Sequence, residues 1–294
     1  MTIFQGSATA LVTPMSVDGE KISFKAVKKL LDYQLDNGTD ALVVLGTTGE
    51  PATMTFEEKT SLIKFVVKYV NKKIPVIAGA GSNCTQTAIE YSKIYENLGV
   101  DALLHVTPYY NKCTQKGLLE HYKAISKNTN LPIILYNVPS RTGVNIAPET
   151  VKALCDYQNI VGIKEASGNL EQVAEIKRVC GDRLDIYSGE DGLVLPIMAL
   201  GGKGVISVAS NIAPKMVSEM CSSFFEGNIE KSREIQLKLK PLIKALFSEV
   251  NPIPVKAGLN LMKIGTSTLR LPLITISKQN LKILKKEMLK LNLI

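Results

Sequence analysis

Lys164 is the side chain in this sequence with the most chemistry open to it. It follows the apolar run Ile160-Val161-Gly162-Ile163. A lysine that closes such a run projects its ammonium from a packed interior into a pocket mouth, where desolvation disfavours the charged form. The neutral amine is a nucleophile toward carbonyls. The plainer alternative is an ion pair with Glu165 or another carboxylate at the same rim. Tyr136 ends the run Ile133–Tyr136. Such a ring is either packed with its hydroxyl satisfied or, beside a lysine on the next strand, a carrier of protons. Arg141, in a loop bounded by Pro139 and Gly143, offers the forked donor geometry that holds a carboxylate, or else sits solvated at the surface. Gly46-Thr47-Thr48-Gly49 combines permissive backbone with hydroxyl and amide donors, the makings of an anion nest. The Glu50 that follows makes a carboxylate a better guest there than a doubly charged phosphate. Tyr109-Tyr110 and Ser188-Gly189-Glu190 occupy comparable places after other apolar runs.

Those runs are the elements that must position the chemistry. Eight short, β-branched stretches recur at near-even spacing: Ala8–Val12, Ala41–Leu45, Pro75–Ala78, Ala102–Val106, Ile133–Tyr136, Ile160–Ile163, Leu184–Tyr187 and Gly204–Val208. Amphipathic stretches such as Phe24–Asp36, Glu57–Val70, Thr85–Leu98, Gly117–Asn128 and Leu170–Val179 lie between them, apolar at three- and four-residue steps. This alternation predicts a parallel sheet, and its arithmetic is that of a (β/α)8 TIM barrel, with a doubly wound open sheet as the other solution. In such a barrel the loops after the strands carry the catalytic groups, which is where the residues above fall. Beyond the eighth run only helical patterns remain, in Pro214–Glu226, Asn228–Ser248, Pro254–Ile264 and Ser277–Leu291. The spacing therefore predicts a catalytic barrel over residues 1–226 and a C-terminal helical extension over 227–294. In the last stretch Leu281, Leu284, Met288 and Leu291 share one helical face, a stripe for docking rather than for a membrane surface.

Composition narrows the function. At 294 residues, 45% hydrophobic and 21% charged, the chain folds without disulfide or metal staples. Thirty-five Lys and Arg against 27 Asp and Glu give +8, and five of those lysines crowd into residues 278–294. There is no basic cluster interleaved with aromatics and no Trp, which argues against a nucleic-acid face. Five scattered cysteines without a CxxC, and only His105 and His121 as imidazoles, suggest neither a disulfide framework nor a metal centre. Neither a signal peptide nor a membrane span is indicated, and a cytoplasmic location is expected.

Together the segments GTTGE (46–50), VTPYYN (106–111), YNVPSRTG (136–143), GIKEASGN (162–169), SGED (188–191), GGKGVISV (201–208) and NPIPVK (251–256) resemble the dihydrodipicolinate synthase family. The likeness runs in order from about residue 3 to the C-terminus. GTTGE and GIKEA mark the wider pyruvate-dependent class I aldolase superfamily, which includes N-acetylneuraminate lyase, whereas YNVPSRTG and NPIPVK narrow the match. The resemblance implies a lyase that condenses pyruvate with aspartate 4-semialdehyde on the route to diaminopimelate and lysine, without metal or organic cofactor. It implies that Lys164 forms the Schiff base, that Tyr136 orients and relays protons with Thr47 and Tyr110, and that Thr48 holds the carboxylate of pyruvate. Arg141 then clamps the carboxylate of the semialdehyde, while Gly189 and Ile206 line the pocket through their carbonyls. Tyr110 reaches a neighbour's site across a dimer, so a homodimer or homotetramer is implied. A sugar-acid aldolase would keep Lys164 and Tyr136 but has no need of Arg141, and a non-catalytic barrel would need none of the three.

One stretch departs from the family. Members inhibited by lysine carry polar residues and histidines soon after GTTGE and an acidic residue on the third barrel helix. Here the stretch reads Pro51-Ala52-Thr53-Met54-Thr55-Phe56-Glu57-Glu58-Lys59 and the helix position is Thr87, although Asn83 and Tyr109 remain. Weak or absent feedback by lysine is expected.

Overall fold

Residues 2–294 are described in the computed structural model. Eight parallel strands close into one barrel in sequence order: β1 (Gly6–Ala10), β2 (Ala41–Val44), β3 (Val76–Gly79), β4 (Ala102–Val106), β5 (Ile133–Asn137), β6 (Ile160–Glu165), β7 (Asp185–Ser188) and β8 (Gly204–Ser207). The open-sheet alternative is thereby excluded. The helices outside it are α1 (Phe24–Asp36), α2 (Phe56–Val70), α3 (Thr85–Asn97), α4 (Gln115–Ser126), the short α5 (Pro139–Thr142), α6 (Pro148–Leu154), α7 (Leu170–Cys180), α8 (Val194–Ala199) and α9 (Pro214–Phe225). Three more follow, α10 (Ile229–Leu246), α11 (Ile253–Leu261) and α12 (Lys278–Lys290).

Alternation along the strands sorts side chains into two cores. Ala8, Ala41, Val43, Ile77, Leu104, Ile134 and Ile206 fill the barrel interior, while Leu42, Val44, Leu103 and Val205 pack outward against helices. The first strand lies two residues earlier than its apolar run, because closure needs backbone contact there rather than bulk. Gly6 and Gly204 face each other across the β1/β8 seam with φ of 117° and 139°. A Cβ on Gly204 would sit 1.8 Å from the Gly6 carbonyl oxygen.

The C-terminal helices share this core. Leu239, Leu242, Leu246, Val255, Leu259, Leu284 and Met288 belong to one apolar cluster with Leu11, Val12, Val205 and Ile212 of the barrel. The stripe on α12 is docked, with Leu284 and Met288 fully buried and Leu281 and Leu291 packed at its edge. Helix starts follow their caps: a reciprocal Thr55/Glu58 capping box opens α2, and Asn228 and Ser277 side chains accept from the first turns of α10 and α12.

Candidate active site

A cavity of about 580 Å³ opens at the C-terminal end of the barrel, the end where (β/α)8 enzymes work. The ends of β2, β3, β4 and β5 form its floor through Gly46, Gly79, Val106 and Tyr136. Its far wall is built by Val250, Asn251, Pro252, Pro272 and Leu273, from the segments around α11.

Strand register places Lys164. It pairs with Tyr136 of β5 on one side and Tyr187 of β7 on the other, and both tyrosines belong to the barrel interior. Lys164 is buried, with its ammonium 4.3 Å from the centre of the Tyr136 ring. Glu165, one residue on, faces the opposite side of the strand, as alternation requires. There its carboxylate accepts from Asn137 Nδ2 at 3.0 Å, Gln172 Nε2 at 3.1 Å and the Ser167 amide at 2.7 Å. The ion pair weighed between these neighbours therefore does not form, and among the described residues no carboxylate lies within 4.0 Å of Lys164. Gly189 keeps room for the lysine: a Cβ there would lie 3.1 Å from Lys164 Cε and 2.6 Å from Ala166 Cβ. Asp191, fully buried nearby, accepts from the Ser207 hydroxyl and the Val208 and Ala209 amides. Burial pushes its carboxyl up, and those donors and the Lys164 charge oppose the rise.

Of the residues singled out in the sequence, Thr47, Tyr136 and Arg141 line the cavity. Lys164, Gly189 and Ile206 lie deeper, around the Tyr136 ring, with Ile206 in the same interior cluster as Tyr136. Thr48 is buried, and its Oγ1 accepts from Asn251 Nδ2 at 2.9 Å. Arg141, exposed on α5, donates from Nη2 to the Asn251 carbonyl oxygen at 3.2 Å. Tyr109 borders the cavity, whereas Tyr110 stands outside it, 92% exposed and at a left-handed φ of 70°.

Asn251 and the partner of Glu50 carry little signal in the sequence. Asn251 touches both Thr48 and Arg141, across 203 and 110 residues of chain, and its only sequence signal is its place in NPIPVK. Glu50 of GTTGE, which lines the cavity, is held by the C-terminal region. It sits in the left-handed region at φ 57° and pairs at 2.6 Å with Lys256 of α11, both side chains buried. Burial pushes the Lys256 ammonium down while Glu50 pulls it back up. Arg270 ties that loop, through Glu58 and the Thr53 carbonyl, to the carbonyls of Gly19 and Glu20 in the β1–α1 connection. Among the described residues no group of three or more His, Cys, Asp or Glu could hold a metal ion, and no helix is long and apolar enough to cross a membrane.

The arrangement is a buried amine against the ring of a tyrosine that lines an open, partly polar well, with a guanidinium also in the lining. The chain is 55% identical over 292 residues to the 4-hydroxy-tetrahydrodipicolinate synthase of Alkaliphilus oremlandii, covering 99% of this chain and 100% of that one. It is 52% identical to 4-hydroxy-tetrahydrodipicolinate synthase 1 of Clostridium acetobutylicum, covering 98% of each. The crystal structure of a dihydrodipicolinate synthase from Thermotoga maritima superposes with a TM-score of 0.97 at 46% identity over the whole of both chains. The sequence profile of the dihydrodipicolinate synthetase family matches residues 3–291, and the chain belongs to that family.

Proposed function

We propose that the activity of this chain, that of a 4-hydroxy-tetrahydrodipicolinate synthase, is carried by Lys164 as the nucleophile that takes up pyruvate. The Lys164 amine adds to the ketone carbon of pyruvate, and loss of water leaves a protonated imine. Its nitrogen withdraws electrons from the adjacent methyl group, which loses a proton to give the enamine. The enamine carbon attacks the aldehyde of L-aspartate 4-semialdehyde, forming the new carbon–carbon bond, and the resulting alkoxide takes a proton. The amino group of that second substrate then adds to the imine carbon and expels the Lys164 amine, closing the ring. The protonated imine formed on Lys164 is the electron sink, so the sequence of steps asks for no metal or organic cofactor. Tyr136, whose ring the amine contacts, would orient and relay protons, with Thr47 and, from a neighbouring subunit, Tyr110 completing the hydroxyl chain. Thr48 receives the carboxylate of pyruvate and Arg141 that of the semialdehyde, while Gly189 and Ile206 bound the pocket behind the lysine.

The observation that supports this reading is the register Tyr136–Lys164–Tyr187, which sets a buried amine with no carboxylate partner against the ring of Tyr136, itself part of the cavity lining. Borohydride reduction in the presence of pyruvate, followed by intact mass and peptide mapping, tests it. The expected result is one stable pyruvate adduct on Lys164, absent in Lys164→Ala. An adduct on Lys203 or Lys256 overturns the assignment. A homodimer or homotetramer is supported by Tyr110, too exposed for an aromatic that serves only its own subunit. Five cysteines that form no disulfide fit a cytoplasmic enzyme.

A further inference from the structure

Thr48 and Arg141 belong to segments far apart in the chain, yet both end on one residue. Asn251, which lines the cavity and is 6% exposed, donates its side-chain amide to Thr48 Oγ1 at 2.9 Å and accepts from Arg141 Nη2 at its backbone oxygen at 3.2 Å. The two ties differ in kind. The arginine is held by the main chain, whatever side chain stands at 251, whereas the threonine is held by the side chain alone.

The polarity of that side-chain bond matters. A hydroxyl carries one proton and two lone pairs. Because Thr48 Oγ1 accepts from Asn251, its own proton is left unspent, and among the described residues the Thr48 hydroxyl donates to nothing. Thr48 is 3% exposed, so no bulk water competes for that proton. The opposite end of the amide, Asn251 Oδ1, is buried without a partner. An unpaired buried acceptor costs free energy that a structural role alone gives no reason to bear. We infer that Asn251 is a positioning residue for the first substrate: its amide fixes the Thr48 hydroxyl as a donor, aimed at a carboxylate. This rests on the assignment of Thr48 and Lys164 to pyruvate. It goes further in making pyruvate affinity, and not semialdehyde affinity, the property that the Asn251 side chain sets.

The experiment measures borohydride trapping of the wild type and of Asn251→Asp as a function of pyruvate concentration, with steady-state kinetics for both substrates. Asn251→Asp keeps the shape but replaces the donor by an acceptor, which draws the Thr48 proton away from the substrate and adds a negative charge beside it. The half-saturating pyruvate concentration should rise ten- to a hundredfold, the loss expected for a misdirected hydrogen bond to a charged group. Maximal trapping on Lys164 and the KM for the semialdehyde should hold within about twofold. Asn251→Ala, which introduces no charge, should shift pyruvate in the same direction, and adding it to Thr48→Val should bring no further loss. Trapping of the variants with unmoved half-saturation, or an equal rise in KM for both substrates, overturns the inference and leaves the lysine assignment standing. Failure of the wild type to trap pyruvate at all overturns both.

Discussion

Arg141 holds its place through one neutral acceptor, the Asn251 carbonyl, and so keeps most of its donors for an incoming anion. Arg141→Ala should reduce kcat/KM for the semialdehyde by about thirty- to a thousandfold, equivalent to about 2–4 kcal/mol of charge-assisted bonding. Pyruvate half-saturation in the trapping reaction should move little. An equal loss on both substrates would show that the arginine supports the site as a whole. At this scale the sequence was informative where one residue carries its own signal: a lysine closing an apolar run, an arginine between Pro139 and Gly143. It was silent where meaning depends on a partner. Nothing near Asn251 announces Thr48, and Glu50 reads as a feature of its own loop until Lys256 is seen against it.

The expectation of weak feedback by lysine belongs to helix α2 and the turn before it. Pro51, Ala52, Thr53 and Lys59 border the outer cavity with Tyr91 of α3, and the Lys59 ammonium sits 5.2 Å from the centre of that ring. Phe56 stacks on Tyr91 at 6.1 Å. A lysine ligand would bring two ammonium groups to a wall that already holds a cation, and neither Phe56 nor Pro51 offers its amines an acceptor side chain. Titration of free lysine into the coupled synthase assay should leave activity above half at 1 mM or so, since two missing charged contacts cost about a hundredfold in affinity. Half-inhibition well below that concentration would place a regulatory site elsewhere.

The layer between β4, α3 and α4 sets a pH limit. His105 is fully buried with its Nδ1 unpartnered, and burial lowers its pKa to about 3; His121 is lowered to about 4 for the same reason. In the unfolded chain both titrate near their ordinary value, about 6.5. Well above pH 6.5 both are uncharged in either state and contribute nothing to pH dependence. As pH falls from about 6.5 toward 4, the unfolded chain binds protons that the folded one refuses, and stability drops by up to about 1.4 kcal/mol per pH unit per histidine. Urea unfolding of wild type and His121→Asn at pH 6.0 and 5.0 should show the variant losing less over that interval; equal slopes would mean that His121 protonates freely in the fold. The crossovers also mark the limit of pattern reading. Helices α6 and α8 have only seven and six residues, too few for a 3.6-residue period to declare itself, and neither stood out in the sequence.

Across the whole molecule, the barrel supplies the amine and the C-terminal region supplies the wall that faces it. Lys256→Met should leave the Glu50 carboxylate buried and unpaired, costing about 3–5 kcal/mol, and Lys256→Met with Glu50→Gln should recover much of that. A single variant within about 1 kcal/mol of wild type by urea unfolding would show that water reaches the pair. The eightfold alternation made the barrel legible before any coordinates, because parallel strands buried on both faces must be apolar. The function of the tail was not legible, because its contacts are with residues some two hundred positions earlier. That separation has a consequence for synthesis on the ribosome. When β8 has emerged, every strand and the lysine are present, but Asn251, Lys256 and Arg270 are still to come. A nascent or truncated chain that closes its barrel early holds the buried lysine while its cavity still lacks the wall of Val250, Asn251, Pro252, Pro272 and Leu273, which arrives only with the last fifth of translation.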